Sequence, residues 1–80
     1  MIKVLYFARL RDQLGSAGEE MAEAPATLGE LVDSLVARGG DWAEAFSGTV
    51  LMAVNQEMAG RDTPIADGDE VGFFPPVTGG

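Results

Sequence analysis

Residues 27–40 spell out one complete helix, and that segment limits the folds open to the rest of the chain. Thr27-Leu28-Gly29-Glu30 has the capping-box form, in which the threonine hydroxyl accepts from the amide three residues on and the glutamate reaches back to the cap amide. Leu28, Leu31, Val32, Leu35 and Val36 then recur at the spacing of a single apolar helical stripe. Gly39-Gly40 stops the run, with Arg38 beside the negative end of the helix dipole. Such a stripe must be covered, and the segments able to cover it are the β-rich runs 2–7, 50–54 and 70–74. One amphipathic helix across one face of a mixed sheet is the expected architecture.

The remaining elements follow from local patterns. Residues 2–7 carry only Lys3 as a charge and read as a well-buried interior strand. Leu10 and Leu14, four apart before Gly15, predict a short helix within 8–14. Residues 19–24, ended by Pro25, fit a second strand hairpinned onto the first. Asp41 and Glu44 repeat a weaker capping signal, so Trp42 and Phe46 enter the core on another short helix. The apolar run 50–54 reads as a buried strand, followed by an Asn55-Gln56 turn and a short strand over 57–60. Asp67-Gly68-Asp69 is a turn feeding the last strand, which Pro75-Pro76 terminate.

Strand alternation assigns the faces. Ile2, Val4 and Tyr6 point to the core, Leu5 and Phe7 to the side of Lys3. Placing Val71 and Phe73 in the core leaves Phe74 outside. Leu5, Phe7, Phe74 and Met58 then form an uncovered apolar patch, unless another segment of the chain covers it; Arg9 and Arg11 either rim that patch or are simply solvated.

At 80 residues the chain fits one domain, expected over 1–74 with an extended flexible tail over 75–80. It holds no cysteine and no histidine, which removes thiolate metal sites, cysteine nucleophiles and the commonest general base. A net charge of −8 disfavours nucleic acid and anionic membranes, and favours a protein partner with a basic face. With no basic segment leading into a long apolar run, the expected location is the cytoplasm. The glycines at 15 and 18 lack the lysine of a phosphate-binding loop, and Asp67 and Asp69 lack the further ligands of a calcium loop. No bound cofactor or metal is expected; Glu19, Glu20, Glu30 and Asp33 read mostly as solvated charge, with docking on a basic partner as the other reading.

The chemistry concentrates at the end of the chain: Phe73-Phe74-Pro75-Pro76-Val77-Thr78-Gly79-Gly80. Two prolines fix an extended path and remove amide donors, so the segment leaves the sheet. Two glycines without Cβ atoms can enter a narrow channel and expose the Gly80 carboxylate to a reaction centre. A terminal diglycine arises by chance in about 0.5% of chains at average glycine usage, so the proline pair beside it carries much of the argument. ATP converts a carboxylate into an acyl-adenylate, and a sulfur nucleophile can then replace the nucleotide. The chain itself offers no base, metal or oxyanion site for these steps, so no activity is expected of it alone.

The element order, Val54-Asn55-Gln56, the turn and strand of 67–71, and Phe-Phe-Pro-Pro-Val-Thr-Gly-Gly resemble the small subunit of molybdopterin synthase over the whole length of the chain. The resemblance implies an α+β, ubiquitin-like β-grasp fold with a mixed four- to five-stranded sheet and one main helix across one face. It implies that Gly80, with Gly79 giving clearance, is adenylated by an E1-like activating enzyme that uses ATP. Gly80 then takes sulfur from a donor protein as a thiocarboxylate and delivers it to cyclic pyranopterin monophosphate within the synthase large subunit, in a heterotetramer of two small and two large subunits. Phe7, Arg11, Met58 and Phe74 fall at the family's partner contacts, followed by Pro75, Pro76, Val77 and Thr78 of the tail. Other readings are a sulfur carrier for thiamine or another thiolated product, a ubiquitin-like tag, and a noncovalent β-grasp module with an inert terminus.

Overall fold

The computed structural model describes residues 1–76. In chain order the elements are β1 (Ile2–Tyr6), α1 (Arg9–Leu14), β2 (Gly18–Met21), α2 (Leu28–Val36), α3 (Asp41–Ala45), β3 (Leu51–Val54), β4 (Glu57–Ala59) and β5 (Glu70–Phe74). The strands form one sheet in the order β2-β1-β5-β3-β4. β1 and β5 run parallel, and every other neighbouring pair is antiparallel. The first and last strands therefore lie side by side at the middle of the sheet.

α2 starts where its sequence says it must. The Glu30 amide donates to the Thr27 hydroxyl and the Thr27 amide to the Glu30 carboxylate, both at 3.2 Å. Leu28, Leu31 and Leu35 are fully buried against Ile2, Val4, Tyr6, Val71 and Phe73 of the sheet. Tyr6 stacks on Phe73, while Trp42 meets Tyr6 and Phe46 meets Phe73 edge-on at centroid distances of 5.3 and 5.2 Å. The aromatics expected on the second short helix thus close one end of the core. Thr27→Ala removes one half of the capping box and is expected to cost about 1 kcal/mol of stability, read as a lower urea midpoint with an unchanged slope.

Several elements depart from the sequence reading. β2 spans 18–21 instead of 19–24: Gly18 lies opposite Leu5, where a Cβ would come within 2.6 Å of the Val4 carbonyl oxygen, so only glycine lets the strand start there. β1 ends at Tyr6, because Ala8 adopts φ 54 and turns the chain into α1. β3 is half-buried rather than fully buried, since Met52 and Val54 face the core while Leu51 and Ala53 face the open side. Val36 sits at the exposed margin of the helical stripe.

Arg38 lies beyond the last turn of α2 and does not serve its dipole. Its guanidinium binds both carboxylate oxygens of Glu19, at 2.9 and 2.7 Å, and packs over the Trp42 ring. Glu19 is accordingly not solvated charge: it faces the helix side of β2 and also accepts the Tyr6 hydroxyl at 2.9 Å. The Arg38 hydrogen bonds, aided by Tyr6 and opposed by burial, hold its carboxyl below the ordinary 4.5. Burial, with the Glu19 hydrogen bond, in turn keeps the Tyr6 phenol protonated well above the usual tyrosine range.

A carboxylate whose pKa is lower folded than unfolded adds stability above its unfolded value and loses it as pH falls through the folded one. Acidification below the ordinary glutamate value of 4.5 should therefore erode the Glu19 contribution. Glu19→Gln is expected to lower stability at neutral pH and to flatten the acid limb, measured as melting temperature between about pH 7 and 3.

Candidate functional site

The face of the sheet opposite α2 is bare among the described residues, and register sets its relief. Gly18, Leu5, Gly72, Ala53 and Met58 stand in one row across all five strands. Gly72 and Ala53 keep the centre of that row low between Leu5 and Met58. The Phe7 ring lies over the backbone of Gly72, where a Cβ would stand 3.1 Å from its Cε2. Phe74, two residues on from Gly72, faces the same side opposite Leu51. The outcome is an apolar groove of about 280 Å³ whose walls include Leu5, Phe7, Met58 and Phe74. Phe7 is 47% and Met58 64% exposed, a large apolar surface for a domain this small.

The site residues expected from the sequence separate accordingly. Phe7, Met58 and Phe74 come together in one groove, and Arg11 lies outside it, exposed on α1. Pro75 and Pro76 follow β5 directly and are half-buried. Val77, Thr78, Gly79 and Gly80 lie outside the described residues.

Gln56, Ala53 and Gly72 also line the groove, and the sequence reading passed over them. A glycine inside an otherwise bulky strand was the available signal for Gly72.

A polar clip sets where β5 begins. The Asn55 amide donates to the Asp69 carboxylate at 3.0 Å and accepts from the Glu70 backbone N–H at 3.0 Å. The Asp69 carboxylate also accepts from the Ala66 amide at 2.8 Å. The Ala66 bond first, then Asn55, draw the Asp69 carboxyl below its usual range. Asp69 and Gly68, at φ 92, are turn residues as expected. Among the described residues no three carboxylates gather as metal ligands, and no helix is long and apolar enough to cross a membrane.

Five mixed strands under one main helix, an open apolar face, and a last strand that runs from the centre of the sheet toward the chain end define a ubiquitin-like β-grasp protein. The chain belongs to the ThiS family, whose family model matches residues 4–80. It is 47% identical over 81 residues to the molybdopterin synthase sulfur carrier subunit of Escherichia coli (strain K12), covering all of both chains. Among solved structures it is similar to small archaeal modifier protein 1 of Haloferax volcanii, at 27% identity and TM-score 0.78, covering 95% of this chain and 97% of that one. It is similar also to one chain of the crystal structure of the Amycolatopsis orientalis BexX/CysO complex, at 25% identity and TM-score 0.73 over 100% of both chains.

Proposed function

We propose that this chain is the sulfur carrier subunit of molybdopterin synthase. The observation that carries the reading is the apolar groove of Phe7, Met58 and Phe74 at the end of the strand that leads to Gly79-Gly80, together with the full-length relative of that name. An E1-like partner uses ATP to adenylate the Gly80 carboxylate, releasing pyrophosphate. Sulfide released by a donor protein then attacks the acyl carbon, expels AMP and leaves a thiocarboxylate. The large subunit docks on the groove, takes the tail into its own active site, and the sulfur passes to cyclic pyranopterin monophosphate on the way to the dithiolene. The carrier contributes a surface and a transferable group, and the catalytic residues belong to its partners. A cytoplasmic location fits a chain that keeps no cysteine for disulfides.

Incubation with ATP, the activating enzyme and a sulfur donor should add the mass of one oxygen replaced by sulfur. An unchanged mass with partners proven active on another carrier would overturn the reading. Phe7→Ala should keep the fold, because the ring is half-exposed, and weaken binding to the large subunit by about tenfold or more, as expected for an aromatic anchor. Titration calorimetry checks it.

The likeness to an archaeal modifier protein favours a second reading, a tag joined to amines. Loaded carrier supplied to large subunit and cyclic pyranopterin monophosphate separates the two: dithiolene formation supports the first, and lysine conjugates without it the second.

A further inference from the structure

β5 leaves the sheet between two grooves, not one. Phe74 belongs to the open face, and Pro75 belongs to a second groove of about 280 Å³ on the helical side, between α1 and the segment 47–50. Arg9 and Gln13 form one wall, with Glu44 of α3 and Ser47 on another. We propose that this second groove is a contact site for the same partner that takes the tail, the synthase large subunit, and that Arg9 sets that partner's register through a carboxylate. The inference rests on the carrier reading and extends it to a face that reading does not use.

Continuity comes first. A channel that receives the residues after Pro76 must surround the chain where it leaves the domain, so its rim meets both sides of the Phe74-Pro75 step. Charge then selects the chemistry. Of the four arginines, Arg38 is paired with Glu19 and Arg61 with Asp33. Arg9 and Arg11 are both exposed and without an ion pair among the described residues, and of the two only Arg9 lines this groove. On a chain of net charge −8 Arg9 is a local exception at the root of the tail. The overall charge draws in a basic-faced partner from any direction, whereas an unpaired cation in a groove that also holds Glu44 discriminates between orientations. Such pairs contribute chiefly to specificity and register.

The test is affinity for the large subunit at low and physiological salt, for the full chain and for Arg9→Glu, Arg9→Lys, Arg61→Glu and Phe7→Ala. Arg9→Glu should weaken binding by about tenfold, with Arg9→Lys within about threefold and Arg61→Glu within about twofold of the parent. Arg9→Glu within twofold of the parent overturns the proposal, as does an equal loss for Arg61→Glu, which reports only net charge. Tighter binding by Arg9→Glu also overturns it. If Phe7→Ala loses affinity while Arg9→Glu does not, only this proposal fails; if neither loses affinity, the docking reading fails with it.

Discussion

Deleting Gly79 and Gly80 abolishes sulfur loading altogether and leaves the fold and most of the partner affinity in place. The loss is complete because the chain has no substitute: with no cysteine, no side chain can hold a sulfur destined for transfer. A truncated terminus also ends in the bulkier Thr78, whose branched Cβ is a poor fit for a channel cut for glycine. The fold is kept because β5 ends at Phe74 and the core is complete by Phe73. Affinity is largely kept because Phe7, Met58 and Phe74 still line the groove. Intact mass after incubation with ATP, activating enzyme and sulfur donor should show no gain, while calorimetry against the large subunit still shows a complex. A truncated chain that still supports dithiolene formation would remove the carrier chemistry from consideration.

Phe73→Ala unfolds the domain under conditions that Phe74→Ala survives, although the two residues are adjacent. Phe73 is fully buried, stacked on Tyr6 and met edge-on by Phe46. Truncating a buried phenylalanine costs about 3–5 kcal/mol, against about 4–12 kcal/mol for an 80-residue domain as a whole. Phe74 is half-buried on the open face, outside the core cluster, so its truncation leaves no core cavity and should cost about 1 kcal/mol. The two variants invert in a binding assay: Phe74→Ala folds and loses affinity for the large subunit. Urea denaturation followed by tryptophan fluorescence reads the first difference, since Trp42 packs against Tyr6.

What was legible in the sequence is what depends on near neighbours along the chain. The capping box of α2 joins Thr27 to Glu30, three residues apart, and alternation along β1 places Ile2, Val4 and Tyr6 opposite Leu5 and Phe7. That alternation alone sets Leu5 and Phe7 on the open side of the sheet. Contacts made between distant segments were out of reach. Glu19 and Arg38 look like ordinary surface charges until β2 and the end of α2 meet, and Asn55 looks like a turn residue until Asp69 arrives beside it. The groove floor needs the register of β1, β5, β3 and β4 together, because Gly72 and Ala53 mean little until Leu5 and Met58 stand on either side of them. Parallel pairing of β1 with β5 joins the two ends of the described chain, and no local pattern encodes it.

That pairing has a mechanical consequence. A partner that draws the terminus into a channel pulls along the axis of β5, which is hydrogen-bonded on both flanks, to β1 and to β3. Force applied along a strand loads both ladders in shear, so many bonds bear it at once, whereas an edge strand pulled sideways would unzip bond by bond. The domain is thereby built to stay folded under a pull on the end of its last strand.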